Sequence, residues 1–367
     1  MKARASDVEQ WEPDGAQVLE DIQKLPPGYR REPLTALAGQ VWSLPKETRQ
    51  AAFDRLLEAV LALDVADRGE PLAALARQIY RLPTGTRPAA FERLLEAVLA
   101  LDVVGRGEPL AALAGQIELL PEGPRPAAFE PLLETVLALD VAERGEPLTA
   151  LACWIGSLPE GTRSAAFEHL LEAVLALDVA GRGEPLTALA RWIGSLPEGI
   201  RPAALERLLE AVLALDVAGW GEPLAALAGW IEALPYGNRS AAFERLLEAT
   251  LVPDVADRGE PLVALVDQIW ALPEGVRQAT FDRLLETTLV FDVADRGEPL
   301  VALADQIWAL PVGTRQATFD RLLEAVLALG VADRGEPLAA LARCIDHLPQ
   351  GTRQGASESL SAALQSR

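Results

Sequence analysis

The sequence predicts an all-α protein, an α-solenoid that forms a right-handed superhelix of two-helix, 38-residue repeats. A start of the type Gly-Glu-Pro-Leu recurs without insertion or deletion, and periods of roughly 20 to 50 residues are typical of stacked helical arrays. Half of the 367 residues are apolar and only 5% are aromatic, and abundant Leu, Ala, Glu and Arg favour helices over strands. Nine copies begin at Arg31, Gly69, Gly107, Gly145, Gly183, Gly221, Gly259, Gly297 and Gly335.

The copies divide the chain into an array with a cap at each end. We expect residues 1–30 to hold a leader and a half-repeat cap, residues 31–334 to form eight full repeats, and residues 335–367 to form a C-terminal capping repeat. In that last copy Ser357 and Ser361 take positions that are apolar in the other copies. A more polar final helix suits an end of the array that faces water.

The first helix of each copy is predicted from an apolar stripe. In the copy at 69–106, Pro71 suits a first turn because its missing N–H costs nothing there. Pro83 prevents the helix from continuing past Leu82. The stripe consists of Leu72, Leu75, Ala76, Ile79 and Leu82. We therefore expect one helix that ends at Leu82.

The second helix of this copy is predicted to start at Pro88, after a turn at Gly85. Its apolar positions are Phe91, Leu94, Leu95, Val98 and Leu101. They cover more than half of the helix circumference, so the helix has to pack on both flanks. A repeat enclosed between two neighbours meets this need, which independently favours the solenoid.

An arginine follows the central turn in all nine copies. A cation is disfavoured at a helix N-terminus, but in an antiparallel hairpin it lies beside the last carbonyl groups of the first helix. We predict a structural cap and keep a ligand-contacting row of arginines as the alternative. This arginine ladder comprises Arg49, Arg87, Arg125, Arg163, Arg201, Arg239, Arg277, Arg315 and Arg353.

Glutamates on the second helix form two rows when the copies are stacked. A solvated helix face accounts for them, and an arginine in most copies dilutes their charge. The alternative is an acidic groove for a basic peptide, if this helix lines the concave side. This acidic ladder comprises Glu92, Glu96, Glu130, Glu134, Glu168, Glu172, Glu206, Glu210, Glu244 and Glu248.

Tryptophans change position between blocks of copies. Three copies carry Trp154, Trp192 and Trp230 where most others carry glutamine. In other copies the aromatic residue stands two positions later, as Trp42, Tyr80, Trp270 and Trp308. These positions lie about 200° apart around a helix. Either each ring fills the seam with one neighbouring copy, or the seven residues bind a partner, since aromatic residues are enriched in protein interfaces.

Composition argues against catalysis, cofactors and nucleic acid. The net charge of −21 opposes binding to phosphates and favours a basic or peptide-like protein partner. His169 and His347 stand alone, so we expect no metal site, catalytic residue or cofactor. Cys153 and Cys344 are interpreted as free thiols of a reducing compartment. With no long apolar run and no signal sequence in residues 1–10, we expect a soluble cytoplasmic monomer without a membrane span.

The repeat resembles HEAT and armadillo-type repeats across residues 31–353. The shared features are two antiparallel helices, a proline after the first helix and an arginine just beyond it. The segment 269–281, which reads IWALPEGVRQATF, is also similar to tandem helical repeats of type III secreted effectors from plant-associated bacteria. Some of those repeats carry Trp-Pro at the end of the first helix, whereas here two residues separate Trp270 from Pro273.

These resemblances imply a non-enzymatic scaffold that binds a protein partner along an extended surface. The second one implies a bacterial effector that is exported and acts inside a host cell. Two alternatives stay open. One is a modular nucleic-acid reader of the TAL effector kind, which the net charge disfavours, and the other is a purely structural spacer.

Overall fold

The computed structural model describes residues 15–252 and 258–365, except for the side chains of Gly15, Ala16 and Trp42. All regular structure in these two ranges is helical, with short 3-10 helices between most of the 19 α-helices and no strand. The chain divides into two compact units, Met1–Leu196 and Pro197–Arg367.

The described part of the first unit contains ten α-helices. They are α1 Gly15–Lys24, α2 Arg31–Ala38, α3 Lys46–Leu61, α4 Gly69–Ala76, α5 Arg87–Leu99, α6 Gly107–Ala114, α7 Pro124–Leu137, α8 Gly145–Ala152, α9 Glu160–Leu175 and α10 Gly183–Ala190. The described part of the second unit contains nine. They are α11 Arg201–Leu213, α12 Gly221–Ala228, α13 Tyr236–Thr250, α14 Gly259–Val266, α15 Glu274–Val290, α16 Gly297–Asp305, α17 Arg315–Leu327, α18 Gly335–Cys344 and α19 Arg353–Gln365.

Helices of the same kind stack from copy to copy within each unit. In the first unit the short helices α2, α4, α6, α8 and α10 each contact the next one, and so do the longer helices α5, α7 and α9. In the second unit α12, α14, α16 and α18 form the same kind of row. Hairpins stacked in this way form an α-solenoid, so the predicted all-α fold class is confirmed. The handedness and the division into caps and eight full repeats stay predictions.

The first helix of the repeat is shorter than the sequence predicts. Helix α4 ends at Ala76, and a separate 3-10 helix, Ile79–Arg81, follows it, so the prediction of one helix ending at Leu82 is wrong. The predicted stripe is nevertheless buried, from Leu72 at 0% exposure to Leu82 at 2%. Leu82 is extended, with φ −71° and ψ 157°, as the residue before a proline prefers to be. The tight turn in between brings both ends of the stripe into the core.

The longer helix follows its prediction closely. Helix α5 begins at Arg87, one residue before the predicted start, and Phe91, Leu94 and Val98 are at most 2% exposed. Its polar residues face water, as expected. The phenylalanine at this position is fully buried in most copies, because it lies between two neighbouring hairpins. The set comprises Phe53, Phe91, Phe129, Phe167, Phe243, Phe281 and Phe319.

The two ends of the array differ in polarity. Leu19 and Ile22 of α1 are buried, and α1 contacts α2. In α19 the side chains of Ser357 and Ser361 are exposed, which fits a terminal face in contact with water. Residues 1–14, including the segment assessed for a signal sequence, lie outside the described residues.

Candidate partner-binding surface

The arginine ladder lies at the central turn of the hairpins. Arg87 donates from Nε to the carbonyl of Leu82 at 3.1 Å and from Nη2 to that of Tyr80 at 2.8 Å. Its Nη1 donates to the carbonyl of Leu119, in the following copy, at 3.2 Å. One guanidinium thus closes the turn of its own copy and joins that copy to the next. These bonds favour the structural role that we predict for the ladder over contact with a ligand.

The bond to the following copy recurs along both units at N···O distances between 2.8 and 3.3 Å. Sequence reasoning did not foresee it, because the acceptor becomes a neighbour only when the copies stack. The donor and acceptor pairs are Arg49 and Arg81, Arg87 and Leu119, Arg125 and Ser157, Arg163 and Ser195, Arg201 and Ala233, Arg239 and Ala271, Arg277 and Ala309, and Arg315 and His347.

A second set of donors closes the turn between copies, and our sequence analysis missed its aromatic member. Arg68 donates from Nε to the carbonyl of Leu63 at 2.9 Å. At the equivalent position of another copy, Trp220 donates from Nε1 to the carbonyl of Leu215 at 3.0 Å, and its side chain is 7% exposed. The signal was present in the sequence, since Trp220 stands where the other copies carry arginine.

The three tryptophans at the glutamine position are partly buried. These are Trp154, Trp192 and Trp230. The ring of Trp192 lies directly over Gly156 of the preceding copy: a Cβ added to Gly156 would lie 2.2 Å from Cζ3 and 2.3 Å from Cε3 of that ring. Trp192 therefore fills the seam between two copies, which favours the packing role for this group.

In the second unit, the two tryptophans at the later position are more accessible than the three tryptophans at the glutamine position. Trp270 and Trp308 are 38% and 43% exposed, in equivalent 3-10 helices of consecutive copies. Val276, in the first turn of α15, and Val312, in the turn before α17, are exposed as well. We call these four residues the aromatic edge. The side chain of Trp42 lies outside the described residues.

The aromatic edge is accompanied by carboxylates. Asp267 and Asp305, equivalent residues at the ends of α14 and α16, are exposed. Partial burial raises the pKa of Asp267, the nearby Asp305 raises it further, and a hydrogen bond from Gln306 lowers it. Asp305 also pairs with Arg343 at 2.9 Å. The raised pKa of Asp267 thus reflects burial of its carboxyl group first, with a smaller contribution from the negative charge of Asp305 in the neighbouring copy.

Tyr80 occupies the same position in the first unit but has basic surroundings. It is 37% exposed, and the guanidinium of Arg81 lies 4.2 Å from the centre of its ring. Arg77 stands at the position equivalent to Asp267 and pairs with Glu108 at 3.0 Å. Tyr80 and the tryptophans of the aromatic edge are thus exposed to a similar extent, but the residue three positions before the ring is basic in the first unit and acidic in the second.

The acidic ladder is partly neutralised by arginines of the following copy. The carboxylate in one copy pairs with the arginine 39 residues later. The pairs are Asp54 and Arg93, Glu206 and Arg245, Glu244 and Arg283, and Asp282 and Arg321. The carboxylate residues in these pairs are partly buried, so this row serves in part to join neighbouring copies.

The acidic ladder is less compensated in the middle of the first unit. Glu92 and Glu130 are exposed, and the residues 39 positions later are Pro131 and His169 instead of arginine. In the second row of the ladder Glu96, Glu134 and Glu172 of the first unit are exposed too, as are Glu210 and Glu248 of the second unit. The exposed glutamates of the first unit form the acidic surface that competes with the aromatic edge as a site for a basic partner.

Groups suited to catalysis or metal binding are sparse. Among the described residues, no three His, Cys, Asp or Glu side chains are grouped so that they could hold a metal ion. Burial raises the pKa of the Cys344 thiol to about 12, and burial also raises that of Cys153. An open depression of about 770 Å³ in the second unit, beside Phe291 and Asp292, has no histidine or cysteine in its lining. No helix in the described ranges is long and apolar enough to cross a membrane.

Comparison with solved structures finds helical-repeat proteins. A crystal structure of a Kap121p mutant matches with a TM-score of 0.51 and 13% sequence identity, over 96% of this chain and 43% of that one. A second Kap121p mutant gives 0.49 and 11%, over 97% and 44%. An engineered protein gives 0.45 and 16%, over 96% and 94%. The chain therefore spans less than half the length of the Kap121p chains that it matches.

These likenesses concern the fold alone. The first of them supports the α-solenoid fold. No protein-family model matches the sequence, and no curated protein matches it. Function has to be argued from the surfaces described above.

Proposed function

We propose that this chain is a non-enzymatic scaffold that binds a basic segment of a protein partner on the aromatic edge of its second unit. The observation that carries the proposal is the pair of exposed rings, Trp270 and Trp308, at equivalent positions of consecutive copies. Exposed tryptophans that recur in register are expensive to leave in water, and tryptophan is the residue most enriched among interface hot spots.

The charge beside the rings selects the partner's chemistry. Asp267 and Asp305 are exposed and precede Trp270 and Trp308 by three residues in their copies, and the chain as a whole carries a net charge of −21. Lysine or arginine of a partner would stack on an indole face, which contributes about 1 to 2 kcal/mol per cation when water is excluded. The same cation would relieve the repulsion between the two carboxylates.

The repeat spacing constrains the partner further. Neighbouring helices of a stack lie about 8 to 10 Å apart, so Trp270 and Trp308 offer two sites at about that distance. A peptide in the polyproline II conformation advances about 3.1 Å per residue and has three residues per turn. Basic residues three positions apart in such a segment would therefore lie on one face, about 9 Å apart, and meet both rings.

A displayed library of random peptides tests this proposal directly. We expect the full chain to enrich peptides with Lys or Arg at three-residue spacing. The double variant Trp270→Leu/Trp308→Leu should bind the enriched peptides at least about tenfold more weakly, because it removes both indole faces and keeps apolar volume. The matched control is Tyr80→Leu, at the same repeat position with similar exposure but beside arginines, and it should bind as the wild type does.

Four outcomes would contradict the assignment. Equal losses in the double variant and the control would show that the aromatic edge has no special role. Binding that survives the double variant but is lost in Glu92→Gln/Glu130→Gln would move the site to the acidic ladder. If no peptide is enriched, the structural spacer becomes the better proposal. Tight binding to DNA or RNA that weakens steeply with added salt would instead favour the nucleic-acid reader.

Three finer aspects of the predicted function are also proposals. A monomer in a reducing compartment is checked by light scattering and thiol titration of Cys153 and Cys344. Export by a bacterium into a host cell rests on the effector resemblance alone. A translocation reporter fused to the chain would test it, and retention of the reporter in the bacterium would contradict it.

A further inference from the structure

The seams between copies show a pattern in residue size that the repeat sequence alone does not explain. Gly156 and Trp192 are 36 residues apart, belong to consecutive copies, and touch: the indole occupies the space that a side chain at 156 would need. The backbone at Gly156 is not in a conformation that requires glycine, since its φ is not positive. The glycine is therefore suited to its neighbour's ring and not to a special turn.

The same 36-residue relation is a contact in the second unit. There Glu232 donates its backbone N–H to the side-chain oxygen Oε1 of Gln268 at 3.1 Å. Gln268 stands at the position of Trp192 and is 8% exposed. Residues 36 apart thus meet across the seam whether the second one is tryptophan or glutamine.

The sequence pairs at this separation are complementary in size. No pair within either unit combines two aromatic residues, and six of the seven hold one. The seventh, Glu232 and Gln268, has the hydrogen bond instead. The pairs are Trp42 and Gln78, Tyr80 and Gln116, Glu118 and Trp154, Gly156 and Trp192, Glu232 and Gln268, Trp270 and Gln306, and Trp308 and Cys344.

Burial explains why one ring is the limit. In the pairs of Tyr80 with Gln116 and of Trp270 with Gln306, the side-chain oxygens of the two glutamines are buried, so the glutamine already fills the inner part of the seam. Where the inner residue is Trp192, the outer residue is Gly156, and where it is Trp154, the outer residue is Glu118, which is not aromatic either. A second ring would have no space without a shift of the whole copy, because interiors are close-packed.

We propose that the residues 36 apart form a size-matched pair that determines which copies can be neighbours. Each seam accepts one aromatic ring, on either side. The surface of one copy therefore recognises the next copy by the size of a single residue. The tryptophan can change flank between blocks because either side of the seam can supply the one ring, which is partly buried in Trp192 and more exposed in Trp270 and Trp308. The proposal does not depend on the function proposed above.

A cycle of point variants in the full chain tests the pairing. Gly156→Trp places two rings in one seam and should lower the melting temperature by about 5 °C or more. Adding Trp192→Gln recreates the combination found at Trp270 and Gln306, and should restore the melting temperature to within about 2 °C of the wild type. The control Gly161→Trp adds the same ring at a glycine with open space around it, and should change little.

The outcomes separate pairing from a general cost of added bulk. If Gly156→Trp fails to fold, the double variant still has to fold for the pairing to stand. Losses that simply add in the double variant would overturn it, and so would a Gly156→Trp chain as stable as the wild type. The mirror experiment in the second unit is Gln306→Trp, with rescue by Trp270→Gly, and a failure of that rescue would overturn the rule for this unit.

Discussion

Trp192 in the first unit and Trp308 in the second show how one residue type serves two environments. Trp192 stands on the inner side of its seam, over a glycine, and is partly buried. Trp308 stands two positions later in its copy and is 43% exposed. The two rings also differ in the residue 36 positions away, which is Gly156 for the first ring and Cys344 for the second. A shift of two positions within the copy thus accompanies the change from a ring packed on a neighbouring copy to a ring available to a partner.

The largest effect on stability is expected when each of these two rings is replaced by alanine. We expect Trp192→Ala to lower the free energy of unfolding by about 3 kcal/mol, because Gly156 has no side chain that could fill the cavity. Trp308→Ala should cost about 1 to 2 kcal/mol, since water can reach the site. Denaturant unfolding of both variants measures the difference, and equal losses would show that the exposure of the two rings does not reflect their packing.

The sequence alone was sufficient to predict the structural features that depend on a single copy. The 38-residue period, the two apolar stripes and the buried Phe91 could all be predicted, because periodicity reports which residues face the core. The break between Ala76 and Ile79 could not, since a helix and a helix followed by a 3-10 turn place the same residues inward. Contacts between copies, such as Arg87 with Leu119, need the stacking geometry.

Trp220 occupies a third environment, and its substitutions should have effects of intermediate size on stability. Its ring is buried and its indole N–H donates to the Leu215 carbonyl, where other copies use an arginine. Trp220→Phe keeps an aromatic ring but removes the donor and part of the buried volume, so we expect a loss of about 1 to 2 kcal/mol. Trp220→Arg restores a donor and should cost less. A larger loss for arginine than for phenylalanine, measured by the same unfolding experiment, would show that the ring matters more than the hydrogen bond.

Candidate binding residues were the least predictable part of the molecule. The sequence divided the seven aromatic residues between two repeat positions but did not show which of them would be buried, and in the structure Trp192 packs against a glycine while Trp270 is 38% exposed. The nearby charges distinguish them further. The Tyr80 ring lies against the guanidinium of Arg81, whereas Trp270 follows the exposed Asp267 by three residues. Such distinctions depend on which side chains of two copies come together, and a periodic pattern read within one copy does not contain them.

The smallest effect on stability is expected at Asp267, and it tests the charge argument for the aromatic edge. Partial burial and Asp305 raise the pKa of its carboxyl above the ordinary value. The ionised form therefore opposes folding at neutral pH, and the chain gains stability as the pH falls through the raised pKa and the carboxyl takes up a proton. We expect Asp267→Asn to raise the melting temperature at pH 7 by less than about 2 °C. The amide oxygen can still accept the hydrogen bond from Gln306.

The sign of this effect should depend on pH and on position. The advantage of Asp267→Asn should shrink toward zero below about pH 4, where the wild-type carboxyl is protonated as well. Asp305→Asn is the matched control, and it should lower the melting temperature slightly because it removes the ion pair with Arg343. If Asp267→Asn, like Asp305→Asn, lowered the melting temperature at pH 7, the two carboxylates would not be repelling each other. The charge argument for a basic partner at the aromatic edge would then lose its local support.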